Sequence, residues 1–312
     1  MTQLAAVLID DAFARHDTGM HPEHPRRHAA IHSAIAGMLP GRPEIASDPA
    51  SDEILLRVHT PDHLRELDAI AATCGAWVDP DTMVGPDSVD TARTAVGAAV
   101  AGINAVLDGV TSRAFALGRP PGHHATASRA MGFCLLNSIA VAAAHARLRG
   151  IEQIAIIDWD VHHGNGTQAI FEDDPAVWYA SIHQSPLYPG TGAASETGRG
   201  AGEGTVCNAP MRAGSGDAAW LEAFDTRVAP FVERARPDLI LLSAGYDAHE
   251  SDPIGGCMVT DDGFAALTER TVALAERHCD GRLVAVLEGG YDPPALGRCV
   301  ARTIVTLDIG TA

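Results

Sequence analysis

The hydrophobic positions of the chain follow two alternating patterns. Short continuous apolar runs occur at residues 4–9, 114–117, 154–157, 177–181, 239–243 and 283–287. Between them lie longer stretches in which apolar residues return every three or four positions, at about 61–72, 87–107, 137–148, 217–234, 261–277 and 294–305. The first kind predicts strands buried on both faces, the second amphipathic helices. N-cap residues precede several of the helices, as in Pro86-Asp87-Ser88 and Thr260-Asp261-Asp262. Strands alternating with helices predict an α/β fold, with a mostly parallel central sheet and helices on both faces. No repeat or low-complexity linker interrupts the pattern, so residues 1–312 read as a single domain. One long irregular segment, 184–207, is rich in Gly, Ser and Pro. A loop of that length in a compact domain is more often functional than disordered.

Composition narrows the chemistry. The 312 residues carry 22 basic and 40 acidic side chains, a net charge of -18. All the basic residues are arginine, because the chain contains no lysine. That excludes Schiff-base enzymes, P-loop NTPases and kinases with a strand lysine. The acidic excess argues against nucleic acid as a partner. It keeps the surface solvated and would attract cations such as polyamines or basic peptide tails. Cys74, Cys134, Cys207, Cys257, Cys279 and Cys299 form no Cys-x-x-Cys pair. They read as reduced thiols of a cytoplasmic protein. The start Met1-Thr2-Gln3-Leu4 lacks the basic region of a signal peptide. The apolar stretch 130–146 contains Asn137, Ser138 and His145, which argues against a membrane span.

In open α/β sheets, ligands bind beyond the carboxyl ends of the strands. Five successive predicted strands end in chemically capable residues beside glycines. They are Arg119-Pro120-Pro121-Gly122-His123-His124, Asp158-Trp159-Asp160-Val161-His162-His163-Gly164-Asn165-Gly166, Ile182-His183, Ala244-Gly245-Tyr246-Asp247 and Glu288-Gly289-Gly290-Tyr291-Asp292. Strand-like alternation puts Asp158, Asp160 and His162 on one side of the chain. Asp247 from another strand end would complete a set of two carboxylates and an imidazole. Zinc accepts these donors and leaves a position open for water, although Fe, Co or Mn also suit them. The adjacent His123 and His124 need one neighbour each to fix their tautomers. Asp158 can serve one and Asn165 the other. A metal-activated water needs a base, and histidine suits that task. Tyr291, on a glycine-rich turn, can donate to an oxyanion, although by itself it reads rather as a packed tyrosine whose hydroxyl is satisfied. His21 and His24 can line a pocket. Tyr188 and Phe133 can wall it. His16, His28, His32, His59, His63, His145 and His278 read as surface or core residues.

These motifs resemble the histone deacetylase superfamily, within the arginase/deacetylase fold. The likeness runs from about residue 16 to the C-terminus. It includes His21-Pro22-Glu23, Gly132-Phe133-Cys134-Leu135-Leu136-Asn137, Pro189-Gly190-Thr191-Gly192 and Asp252-Pro253-Ile254-Gly255-Gly256-Cys257 as well as the strand ends above. Trp159, Asn165 and Glu288 are similar to the class II branch and its bacterial relatives. The resemblance implies zinc held by Asp160, His162 and Asp247. It implies that His124 is general base and then general acid, with Asn165 beside it, and that His123 against Asp158 acts electrostatically. Tyr291 would polarise the acyl carbonyl. Gly132, Phe133, Tyr188, Ile254, His21, Gly289 and Gly290 would meet the acyl-amine substrate. Structural potassium ions are implied near Asp158, Asp160, His162, Ser181 and Ile182, and near Phe171, Asp174 and Val177. Of the Arg26-Arg27 pair, Arg27 is the better match to a position lining an inner exit cavity. One departure stands at the rim, where the usual His-Pro-Glu-Arg-Pro reads His-Pro-Glu-His-Pro and places His24.

The expected reaction is hydrolysis of an N-acyl amine, with acyl-lysine ahead of acetylpolyamine. Polyamine-selective relatives tend to carry an acid where this chain has Ile254, whereas the net charge of -18 pulls the other way. An acyl-binding module without turnover is opposed by the intact set of ligands, His pair and Tyr291. A two-manganese arginase-like hydrolase is opposed by the absence of a second bridging carboxylate motif.

Overall fold

The computed structural model describes residues 4–308, so the reading of Met1-Thr2-Gln3 lies outside the described residues. Strands are β1 (Ala6–Leu8), β2 (Ala76–Asp79), β3 (Thr82–Val84), β4 (Arg113–Ala116), β5 (Ile154–Asp158), β6 (Val177–Gln184), β7 (Val206–Met211), β8 (Leu239–Ala244) and β9 (Leu283–Leu287). Helices are α1 (Arg26–Met38), α2 (Asp52–Leu55), α3 (Pro61–Ala71), α4 (Ser88–Leu107), α5 (Ser138–Leu148), α6 (Asn165–Phe171), α7 (Asp217–Ala223), α8 (Ala229–Ala235), α9 (Asp261–Cys279) and α10 (Pro293–Leu307). Seven strands form one sheet in the order β1-β4-β9-β8-β5-β6-β7, parallel throughout. The hairpin β2–β3 stands apart from it.

The continuous apolar runs have the reason anticipated for them. Alternate residues of each central strand feed two cores. Ala155, Ile157, Ile240 and Leu242 pack with residues of α1, α9 and α10. Ile154, Ile156, Leu239 and Leu241 pack with residues of α4 and α5. A strand covered on both faces has no polar side to show.

Three departures from the sequence reading have physical causes. The irregular segment is shorter than residues 184–207, because β6 runs through Gln184 and β7 begins at Val206. The strand β7, Val-Cys-Asn-Ala-Pro-Met, is fully buried at only half of its residues and contains Asn208 and Pro210. It lies at the sheet edge, where a missing N–H is tolerated. The helix expected over 217–234 is interrupted by a π-turn, Phe224–Val228, where Ala229 N–H reaches Phe224 O. Pro230 follows at once and lacks the N–H that an α-helical ladder needs. The helix α1 was not anticipated, since its buried face holds only Ile31 and Ile35 beside Arg27 and His28.

The order of the sheet decides where the chemistry lies. The chain builds β5, β6 and β7 outward, then returns to insert β8 between β5 and β9. The carboxyl ends of β5, β8 and β9 thereby become neighbours, with Asp158 opposite Ser243 and Ala244 opposite Leu287.

Candidate active site

Beyond these strand ends, Asp160, His162 and Asp247 converge, all buried. His162 Nδ1 stands 3.1 Å from Asp160 Oδ1 and 3.0 Å from Asp247 Oδ2. Donors about 2.0–2.2 Å from a tetrahedral ion stand roughly 3.4 Å apart, so this spacing is close to what one cation needs. Other carboxylate oxygens are held by main-chain donors. Asp160 Oδ2 accepts from Gly289 N at 2.8 Å, and Asp247 Oδ1 from Val161 N at 2.8 Å. A β-carbon at Gly289 would lie 2.3 Å from Asp247 Oδ2 and 2.5 Å from Asp160 Oδ2, so only glycine lets this turn approach. Burial and the Asp160 charge push the Asp247 carboxyl up. Burial also opposes Asp160, but the His123 and His162 charges hold it below its ordinary range. Among the described residues, the ion pairs of both carboxylates involve imidazoles only. Two buried carboxylates and an imidazole with no arginine between them fit a divalent cation.

Two other donor trios occur among the described residues. His249, Asp261 and Cys299 are served by Arg298, whose Nε is 2.8 Å from Asp261 Oδ2. His123, Cys134 and Glu288 adjoin the first trio, but their donors are engaged elsewhere. Glu288 Oε2 accepts from Gly122 N at 2.6 Å and His123 N at 3.1 Å. Burial pushes this carboxyl up to about 7.

The histidine pair resolves its two partners. His123 Nδ1 is 3.0 Å from Asp158 Oδ2, and Tyr179 donates to the same oxygen at 3.0 Å. Burial alone would lower His123, but Asp160 and Asp158 outweigh it and raise the imidazole to about 10. His124 Nδ1 is 2.8 Å from Asn165 Oδ1. Burial, then the neighbouring His123 and His162, keep His124 well below its ordinary value and so neutral. A donor Nδ1–H toward Asn165 leaves Nε2 with its lone pair. Asp158 therefore leaves the alternation that sequence suggested. The strand ends at Asp158, and the bend after it sends Asp160 and His162 to Asp247 while Asp158 turns to His123.

A cavity of about 120 Å³ opens onto this group, lined by Asp81, His124, Gly132, Phe133, His162, Tyr188, Ile254 and Tyr291. Phe133 has a left-handed backbone, φ 68°, and its N–H donates to Thr82 Oγ1 at 3.0 Å. Gly132, φ 56°, precedes it, and a β-carbon there would sit 2.5 Å from His124 Cδ2. Tyr291 meets Phe133 edge to face at 5.5 Å, and the Arg27 guanidinium lies 5.0 Å from its ring centroid. Burial lifts the Tyr291 hydroxyl well above its ordinary value, so it remains a donor. A larger cavity, about 410 Å³ beside Asp10, Arg15 and Asp87, brings no such donors together.

Of the residues expected to meet substrate, Gly132, Phe133, Tyr188 and Ile254 line the cavity, whereas His21, Gly289 and Gly290 do not. His21 packs behind Phe133 at 4.4 Å. Gly289 lies under the Asp160 and Asp247 carboxylates, and Gly290 against Tyr246 and Leu296. The residues expected near potassium fall on adjoining backbone. Asp158 and Ser181 are register partners, and the Phe171–Asp174–Val177 turn is closed by Asp174 N to Phe171 O at 2.8 Å. Asp81 and Thr82 escaped the sequence reading. Their signal is the Pro80-Asp81 turn between two short β-prone runs, Trp77-Val78 and Thr82-Met83-Val84.

The comparisons with known proteins bear on the family and the fold. The histone deacetylase domain matches residues 21–307. A histone deacetylase-like amidohydrolase of Pseudomonas aeruginosa is 40% identical over 283 residues, covering 89% of this chain and 74% of that protein. A probable deacetylase of Archaeoglobus fulgidus is 41% identical over 293 residues, covering 92% and 81%. The crystal structure of the HDA15 HD domain superposes with a TM-score of 0.93 at 38% identity, covering 98% of this chain and 89% of that one. The chain belongs to the histone deacetylase family and is a hydrolase of amides.

Proposed function

We propose that the chain is a zinc-dependent amidohydrolase that removes acetyl or other acyl groups from acyl-lysine-type side chains. The observation that carries this reading is the convergence of Asp160, His162 and Asp247 beside an aromatic-walled cavity holding both His124 and Tyr291. When bound, the ion would polarise the acyl carbonyl and acidify a water within reach. Neutral His124, oriented by Asn165, takes the proton from the attacking water through Nε2. Tyr291 donates its hydroxyl hydrogen bond to the acyl oxygen as that oxygen gains charge. The C–N bond breaks as His124 returns the proton to the leaving amine. The products are a free amine and a carboxylic acid. Charged His123, paired with Asp158, supplies a fixed positive field beneath these steps. Phe133, Tyr188, Gly132 and Ile254 flank an apolar carbon chain. Potassium would bind the backbone near Asp158, Asp160, His162, Ser181 and Ile182, and the turn of Phe171, Asp174 and Val177.

A second reading, an acylated polyamine, is favoured by Asp81 in the cavity wall and by the net charge of -18. The neutral Ile254 favours the first. A turnover panel separates them. Protein of measured metal content is tested on acetyl-lysine peptides, longer acyl-lysines, acetylputrescine and acetylspermidine, before and after chelation and zinc return. The expected result is the highest kcat/KM on an acyl-lysine, lost on chelation and restored by zinc. Faster polyamine turnover would install the second reading. No hydrolysis of any substrate by metal-loaded protein would end both.

A further inference from the structure

The departure at His24 acquires a setting in the structure. Beside Tyr291 lies a second cavity, about 280 Å³, walled by Gly19 to Pro22, His24, the start of α1, Tyr291 and Pro293. Its walls include His21, His24, Arg26 and Arg27, and no carboxylate. That composition runs against a chain whose net charge is -18. Arg27 is already committed, its charge paired with Glu23 Oε1 at 2.9 Å and further N–H groups donating to Gly290 O at 2.6 Å and to Glu288 O. The other groups are not. His24 Nδ1 accepts from Arg26 N at 3.0 Å, and His21 Nδ1 accepts from Glu23 N at 3.1 Å. A ring nitrogen that accepts a main-chain N–H carries no proton, so both imidazoles bear theirs on Nε2 and act as donors. Arg26 is exposed, and no ion pair to it occurs among the described residues. The helix α1 begins at Arg26 and adds the partial positive charge of its first turn.

We propose that this cavity is a subsite for a carboxylate carried by the substrate, with His24 and Arg26 as its specificity-determining residues. The inference rests on the amidohydrolase reading above and names a feature of the substrate beyond the acylated amine. Tyr291 lines both cavities, so the two adjoin and one substrate can reach into both. Asp81 lines the main cavity but not this one, so a carboxylate would meet an acid in the first lining and none in the second, a difference that can orient an asymmetric substrate.

The test uses acetyl-lysine peptides in matched pairs. Members differ only in Glu against Gln on either side of the acetyl-lysine, or in a free C-terminal carboxylate against a carboxamide. These arms distinguish a side-chain carboxylate from a terminal one. Both kcat/KM and the Kd of fluorescently labelled peptides are measured at about 50 mM and about 0.5 M salt. At low salt, the carboxylate member of at least one pair should be favoured by about three- to ten-fold, mainly through KM and Kd. High salt should shrink that ratio. Arg26→Gln and His24→Gln should each bring it toward one. A ratio near one in the wild-type protein, or a ratio that survives both substitutions, overturns the proposal. So does an effect of the variants confined to inhibition by added acetate, which would mark the cavity as a product site. If the Kd ratio holds while no peptide is hydrolysed, the subsite stands and the amidohydrolase reading fails.

Discussion

At the residue scale, the candidate site separates holding the ion from moving the proton. Asp247 should be needed for the first and Tyr291 and His124 for the second. Asp247→Ala removes one of three donors and leaves Val161 N without its acceptor. Its metal content, measured by elemental analysis, should fall from about one per chain to a small fraction. Unchanged content would remove Asp247 from the donor set. Tyr291→Phe keeps the ring packed against Phe133 and under Arg27 while deleting the hydroxyl. Its kcat should fall by about 10²–10³ with metal content unchanged, as expected for one lost oxyanion donor. His124→Ala should cost about 10²–10⁴ by losing the proton carrier. Wild-type turnover in either variant would reassign that residue. The identities of these residues were legible in the sequence because each follows an apolar run and sits beside glycine. Their pairings were legible only through the family resemblance. His123 with Asp158 and His124 with Asn165 join positions 35 and 41 residues apart, and spacing alone leaves the alternatives open.

At the element scale, the hairpin β2–β3 fixes the cavity wall without belonging to the central sheet. Thr82 Oγ1 accepts the Phe133 N–H and donates to Asp81 Oδ1 at 3.0 Å. Asp79 meanwhile pairs with Arg129 at 2.7 Å, tying the hairpin to the loop before Phe133. Phe133 holds a left-handed backbone that costs of order 1 kcal/mol for an L-residue. The hairpin helps to impose it. Thr82→Val keeps the shape and loses the acceptor. It should raise KM several-fold with a smaller change in kcat, and lower stability by about 1 kcal/mol. A KM equal to wild type would show that the hairpin does not hold the wall. The same scale explains the elements that sequence patterning passed over. The strand β7 is interrupted by Asn208 and Pro210, which an edge position tolerates. The hairpin β2–β3 has too few residues for its period to be read.

At the scale of the whole molecule, stability should depend on pH through histidines outside the candidate metal site. His16, between Ser88 Oγ at 2.7 Å and Glu23, is lowered by burial to about 4. His59, whose Nε2 accepts from Asn137 N at 2.9 Å, is lowered by burial and His63 to about 3. Both are neutral in the folded chain at pH 5, whereas their unfolded counterparts, near 6.5, bind protons there. The unfolded state therefore gains protons first, and stability falls as pH drops below about 6.5. Each group contributes up to about 2 kcal/mol of loss at pH 5. Glu23, held well below the ordinary carboxylate range by Arg119 against the cost of its own burial, acts in the same direction at lower pH. Its stabilisation is complete above about pH 4.5 and is lost as pH falls below that. Urea midpoints at pH 7.5 and 5 should differ accordingly, and His59→Gln should narrow the gap. Equal midpoints would contradict the assignment of neutral buried imidazoles.

The α/β class, a mostly parallel sheet, five strand ends that carry chemistry and the residue types found there could all be read from the order of the amino acids. They are legible there because burial on both faces writes continuous apolar runs, and glycine marks where backbone must approach closely. Only the tertiary structure decided the neighbours. Placing β8 between β5 and β9 brings Asp247 to Asp160 and His162 across 85 residues or more. It also bends the chain after β5 so that Asp158 serves His123, and it sets a basic cavity next to Tyr291. Contacts of that kind are fixed by strand order and loop path, which local periodicity does not encode.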